Sequence, residues 1–208
     1  SDAPLADIVE SLFLERGVQL SLTRPDFGLL PKVEKDVASR LDAGARMLGG
    51  TVDVVVAHRD ADGAGWHARR QEIETAAEKC RVGRLVVPVI PVRMTEAWLL
   101  LDEAAIRSVA GNPSGRVALD LPKVHETERL ADPKTALREA LTCAASVTGR
   151  RRDRLSRRFS ESRRQLMERL DPRGPVTKLR SWQDLVDAVD AAVAAHTEGD
   201  AQPTRSWT

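Results

Sequence analysis

The sequence predicts an α/β fold: a mostly parallel sheet flanked by helices, followed by a helical C-terminal extension. Three observations carry this. Residues 51–57 and 85–90 are short runs dominated by β-branched residues, each of strand length. Between them lies a stretch of helical length, so strand, helix and strand alternate as in a βαβ unit. Residues 85–90 are apolar at nearly every position, as expected for a parallel strand covered on both faces.

Taken in order, residues 7–15 place Ile8, Val9, Leu12 and Phe13 at helical spacing, and Gly17 breaks the pattern before a predicted strand at 18–22. Pro31 opens a predicted helix running to Met47, with Val33, Val37, Ala38, Leu41 and Ala45 on one face and Gly49-Gly50 as its stop. The strand at 51–57 follows, then a helix from about 66 to 79 and the strand at 85–90. Beyond Pro91 the pattern turns helical: 95–109, a loop marked by Gly111, Pro113 and Gly115, a helix from Pro133 to Ala145, and an arginine-rich helix. The Asp-Pro-Arg-Gly-Pro run at 171–175 is a break. A last helix spans 181–195, with Ser181 as cap and Asp184 three residues on. This gives an α/β core at 1–110, a helical extension at 111–196 and a disordered polar tail at 197–208. No internal repeat is present.

Composition narrows the class. The chain has 208 residues, 42% hydrophobic and 30% charged, enough for a sizeable core. The longest apolar run is too short for a membrane span and carries Pro88 and Pro91. The opening is acidic and polar, which reads as no signal peptide. Cys80 and Cys143 stand far apart without metal-type spacing, so reduced thiols in a cytoplasmic protein are expected. The net charge of +1 hides a segregated block, with eight arginines against Asp153 and Glu161 between residues 150 and 164. That block reads either as a phosphate-binding footprint, with Arg151, Arg154, Arg157 and Arg158 as contacts, or as a solvated helix surface. Aromatics are 3% and tyrosine is absent, so base stacking is limited and backbone contacts would dominate.

The candidate site is Asp60-Ala61-Asp62, which follows the valine-rich strand and precedes Gly63 and Gly65. Ligands gather at the carboxyl ends of strands in open α/β sheets, and two carboxylates this close call for a cation, usually Mg²⁺. An EF-hand starting at Asp60 would need acids where Ala64 and Gln71 stand. A haloacid-dehalogenase site would need a Thr after the motif and a later acidic pair, and a receiver site an acid at an earlier strand end and a later lysine. None is evident.

Asp60-Ala61-Asp62 after the valine strand resembles the second motif of the TOPRIM family of topoisomerases, primases and related nucleases. The opening Ser1-Asp2-Ala3-Pro4-Leu5 looks like the tail of that family's first motif. Residues 91–100 (PVRMTEAWLL) and Asp132-Pro133-Lys134 are similar to segments of small stand-alone TOPRIM-like bacterial proteins of the DUF4276 type. The resemblance covers roughly residues 1–145 and implies a Rossmann-like TOPRIM sheet. It also implies a first strand and glutamate preceding Ser1, so that either upstream residues are missing from this sequence or the protein lacks that general acid/base.

On this resemblance Asp60 and Asp62 hold Mg²⁺ (or Mn²⁺), Glu96 supplies a third carboxylate and Asp2 a further ligand. Asp60, Asp62 and Glu96 form the expected catalytic set. Arg59 and Lys134 are expected at phosphate, beside His58. The plainer alternatives are that Asp62, Glu96 and Asp2 sit at helix starts, that His58, Arg59 and Lys134 are surface residues, and that Trp66 and Trp98 are packing residues. The resulting expectation is a Mg²⁺-dependent nuclease acting on DNA or RNA, with phage defence as the implied setting and no membrane. The alternatives are a non-catalytic TOPRIM-like module that binds a partner ATPase or nucleic acid, and a nucleic-acid binder working through the arginine block alone; the sequence leaves an oligomer open in each case.

Overall fold

The computed structural model describes residues 4–49, 52–80 and 85–200. Asp2, the Gly50-Thr51 step and the tail from 201 onward lie outside the described residues. In chain order the elements are α1 (Pro4–Leu14), α2 (Val37–Leu48), β1 (Val54–His58), α3 (Trp66–Cys80), β2 (Leu85–Val89), α4 (Glu96–Leu99) and α5 (Glu103–Val109). Then follow α6 (Val124–Thr127), α7 (Pro133–Ala145), α8 (Gly149–Arg157), α9 (Phe159–Glu168) and α10 (Arg180–Asp200). The fold is mixed α/β, with helix predominating. Among the described residues β1 and β2 form one small parallel sheet, in a register pairing Val54 with Leu85 and His58 with Val89.

The β1–α3–β2 unit matches the expected order because its signals are local and strong. Several other boundaries differ, each for an identifiable reason. Residues 18–22 do not form the predicted strand. The Val18 N–H donates to Phe13 O, and the Leu22 N–H donates to Glu10 Oε1 at 2.6 Å, so these donors serve the preceding helix instead of a ladder. Helix α2 begins at Val37 instead of Pro31, because the Asp36 carboxylate accepts from Ser39 N and fixes the first turn there. Gly49 closes the helix in the left-handed region at φ 66°.

The single helix expected over 95–109 is two, since Asp102 caps the N–H of Ala105 and starts α5 afresh. The arginine-rich segment likewise divides at Arg158 into α8 and α9. The Ser181 cap is also revised: the Glu128 carboxylate accepts from both Arg180 N and Ser181 N, at 3.1 and 2.9 Å. The Ser181 hydroxyl instead accepts from Trp98 Nε1 at 2.8 Å. Helix α10 runs on to Asp200, past position 197 where a disordered tail is expected.

Two compact units divide the chain, and they interleave along it instead of following as blocks 1–110 and 111–196. One comprises the chain through Ile8, Asp60–Trp66 and Pro91–Gln183; the other comprises Val9–Arg59, His67–Ile90 and the chain from Asp184. The break in character falls near Pro91 because α4 and α5 pack on α7 and α9. The core of this first unit is built on Trp98, Ile106, Leu137, Leu166 and Trp182, all within 2% of complete burial. Trp98 and Trp182 meet edge to face, with centroids 5.2 Å apart. The second unit buries Val9, Phe13, Ile73, Val87 and Val189. In it Arg16, just past α1, is ion-paired to Asp190. Among the described residues no helix is long and apolar enough to cross a membrane.

Candidate functional site

At the end of the sheet the Arg59 N–H donates to Val89 O at 3.1 Å. The next residues, Asp60 to Gly65, form a tight turn. The Ala61 N–H donates to Pro91 O at 2.9 Å, and the Gly65 N–H returns to Ala61 O at 3.1 Å. Ala61, the middle residue of the Asp-x-Asp triplet, is buried at 2% exposure, so the turn is anchored through it. The two acids then differ: Asp60 is half-buried with Oδ1 shielded from solvent, while Asp62 is exposed at the head of a short 3₁₀ turn, Asp62–Ala64.

Asp62 has φ 42°, in the left-handed region that a side chain normally avoids. Such backbone strain persists only where surrounding contacts impose it, and it concentrates at functional sites. Gly65, at φ 82°, is open to it by lack of a Cβ.

Glu96 has another employment. It sits in the first turn of α4, 5% exposed, and its Oε1 accepts from Arg163 Nε of α9 at 2.8 Å. The same guanidinium bonds Thr95 Oγ1 through Nη2. A carboxylate engaged this way has its charge offset by the guanidinium and a lone pair already committed. Among the described residues no group of three or more His, Cys, Asp or Glu gathers to hold a metal ion. Asp60 and Asp62 share one turn, and Glu96 is held in its pair with Arg163.

The remaining expected residues are dispersed. Arg59 is one-third exposed and donates Nη2 to Glu72 Oε1 at 3.2 Å, while Arg69 holds the other oxygen of Glu72 at 2.8 Å. Arg59 is therefore committed within its own unit. Lys134 is an exposed first-turn residue of α7, whose N-cap is Asp132. Arg151, Arg154, Arg157 and Arg158 are all exposed, but Arg158 is paired with Glu161 at 2.9 Å. Trp98 is a core residue.

Arg163 is the residue that sequence reading misses. Its signal is present nonetheless: Phe159, Ser162, Leu166 and Met167 are buried at helical spacing, which places Arg163 on the inward face of α9. Counted as one of eight arginines in a basic block, it passes for a surface charge. No protein-family model matches the chain, and neither a curated protein nor a solved structure matches it.

Proposed function

We propose that the protein is a Mg²⁺-dependent phosphodiesterase of TOPRIM-like type that cleaves nucleic acid, with Asp60 and Asp62 as its cation-holding pair. The observation supporting this is the turn itself: two carboxylates one residue apart, fixed through buried Ala61, with Asp62 held at positive φ. Mg²⁺ is commonly bound by one or two carboxylates completed by water and substrate phosphate, so this pair fits it without Glu96. When bound, the cation supplies polarisation of the phosphate and offsets charge on the leaving oxygen. Exposed Asp62 meets the substrate side, and half-buried Asp60 has less freedom and sets the direction of the pair. Glu96 acts here as a positioning residue, bracing α4 against α9 through Arg163. A setting in phage defence belongs to the same proposal.

The test is cleavage of plasmid, single-stranded DNA and transfer RNA with Mg²⁺ or Mn²⁺, by the wild type and by D60A/D62A. Loss of cleavage by roughly two orders of magnitude or more in the variant is expected. Equal cleavage by both proteins overturns the assignment.

The buried Glu96–Arg163 pair favours a second reading. A third carboxylate withdrawn into an ion pair suits a non-catalytic module that binds an ATPase partner or nucleic acid. That reading predicts no cleavage under any metal, together with wild-type partner binding by D60A/D62A.

A further inference from the structure

We propose that the exposed face of α8 formed by Arg150, Arg151, Arg154 and Arg157 is a docking surface for the phosphate backbone of a nucleic-acid duplex. These four side chains are exposed, and no ion pair engages them among the described residues. The other arginines of the block are accounted for. Arg158 pairs with Glu161, Arg163 with Glu96, and Arg164 with Glu168 at 3.6 Å. Arg152 is exposed as well, but it points away from the group by helical geometry.

At 3.6 residues per turn the four fall within roughly 120° of the helix circumference, along about 10 Å of its axis. A duplex presents about one charge per 1.7 Å, hence about six over that length, enough phosphates to meet each of the four arginines. Asp153 is the one acid on α8 and shares a hollow with Arg150, Arg154 and Arg157. It forms no ion pair with them and leaves the face strongly positive.

Helix α8 buries none of its residues and its N-cap, Thr148, makes no side-chain capping bond. Arg150 and Arg154 stand four residues apart, and Arg154 lies three residues from both Arg151 and Arg157, spacings at which like charges repel. A helix that packs on α7 and α9 without burying any residue fully, and that carries internal repulsion, gains from an external polyanion that neutralises it.

The chemistry of α8 selects the partner. An anionic membrane surface would want an apolar face to bury, and Leu155 is the only large apolar residue the helix carries. A single strand would want aromatic platforms. The nearest aromatic in sequence, Phe159, is buried beneath the Arg138 guanidinium at 4.7 Å. What remains is sequence-independent contact with closely spaced phosphates.

The test is fluorescence anisotropy of the full chain on a 20-base-pair DNA duplex, on the matching single strand and, by sedimentation, on phosphatidylserine vesicles, without divalent cation. This surface stands apart from the Asp60–Asp62 reading, and the metal-free assay lets the two fail separately. Four phosphate contacts give a log–log salt slope of about −3.6, so duplex affinity falls about a hundredfold between 50 and 200 mM KCl. The variant R150A/R151A/R154A/R157A loses that slope, the corresponding quadruple lysine variant keeps it, and R164A leaves it unchanged. A slope near zero, an alanine variant that binds like wild type, tighter binding to the single strand, or binding to vesicles alone overturns the proposal.

Discussion

Arg163 Nε donates to Glu96 Oε1 at 2.8 Å across 67 residues of sequence, with side-chain exposures of 12% and 7%. Two charges out of water in this way are costly to separate, because either partner alone is a buried, uncompensated ion. R163L is expected to destabilise the protein by about 3–5 kcal/mol, and E96L/R163L by markedly less. Urea denaturation of the two variants checks this; equal losses would mean that the charges do not depend on each other.

Asp62 carries backbone strain in its turn. At φ 42° glycine is relieved of the Cβ clash, so D62G is expected to raise stability by up to about 1 kcal/mol. The same change removes a carboxylate and, on the proposed function, abolishes Mn²⁺ binding. Thermal unfolding and titration calorimetry on one preparation read both effects. A destabilised D62G would show that the Asp62 side chain, not cation binding, holds the turn.

Glu128 supplies both acceptors at the start of α10, to Arg180 N and Ser181 N. Removing a helix N-cap costs about 1 kcal/mol, and here two donors are left at once. E128A is therefore expected to cost about 1–2 kcal/mol, with E128Q recovering part of it through its remaining carbonyl oxygen. Denaturant midpoints of the two variants decide it.

Asp132 titrates below the ordinary aspartate value of 3.8, chiefly because the Thr135 hydroxyl donates to its carboxylate, seconded by the Thr135 backbone N–H. Asp36 is lowered in the same direction, first by the Ser39 backbone N–H. Both folded values are depressed, so each group's contribution is complete above the unfolded value. It is lost as pH falls through the folded one. Stability measured against pH is expected to fall off below about pH 4, and D36N/D132N is expected to flatten that acid limb while leaving the plateau's shape above it unchanged.

Much of the local architecture was legible. The valine-rich run at β1, the Pro at the head of α7 and the Gly49 stop after α2 act over a few residues, through backbone sterics and nearby hydrogen bonds. Harder to read were starts that depend on competing carboxylates. Asp36 moved the start of α2 and Asp102 split a helix in two, and each did so with a single oxygen that residue spacing alone does not rank against Pro31 or Thr95.

The sequence by itself determined the β1–α3–β2 order, the placing of Asp60 and Asp62 just past β1, and the charge of the arginine block. Those follow from side-chain pattern within one or two turns of chain. Only the tertiary structure decided that Glu96 faces Arg163, that Glu128 caps α10, that Ser181 serves Trp98, and which arginines remain exposed without ion pairs. The first three are contacts across tens of residues, set by which faces bury together, and no local spacing encodes the partner a buried charge will find.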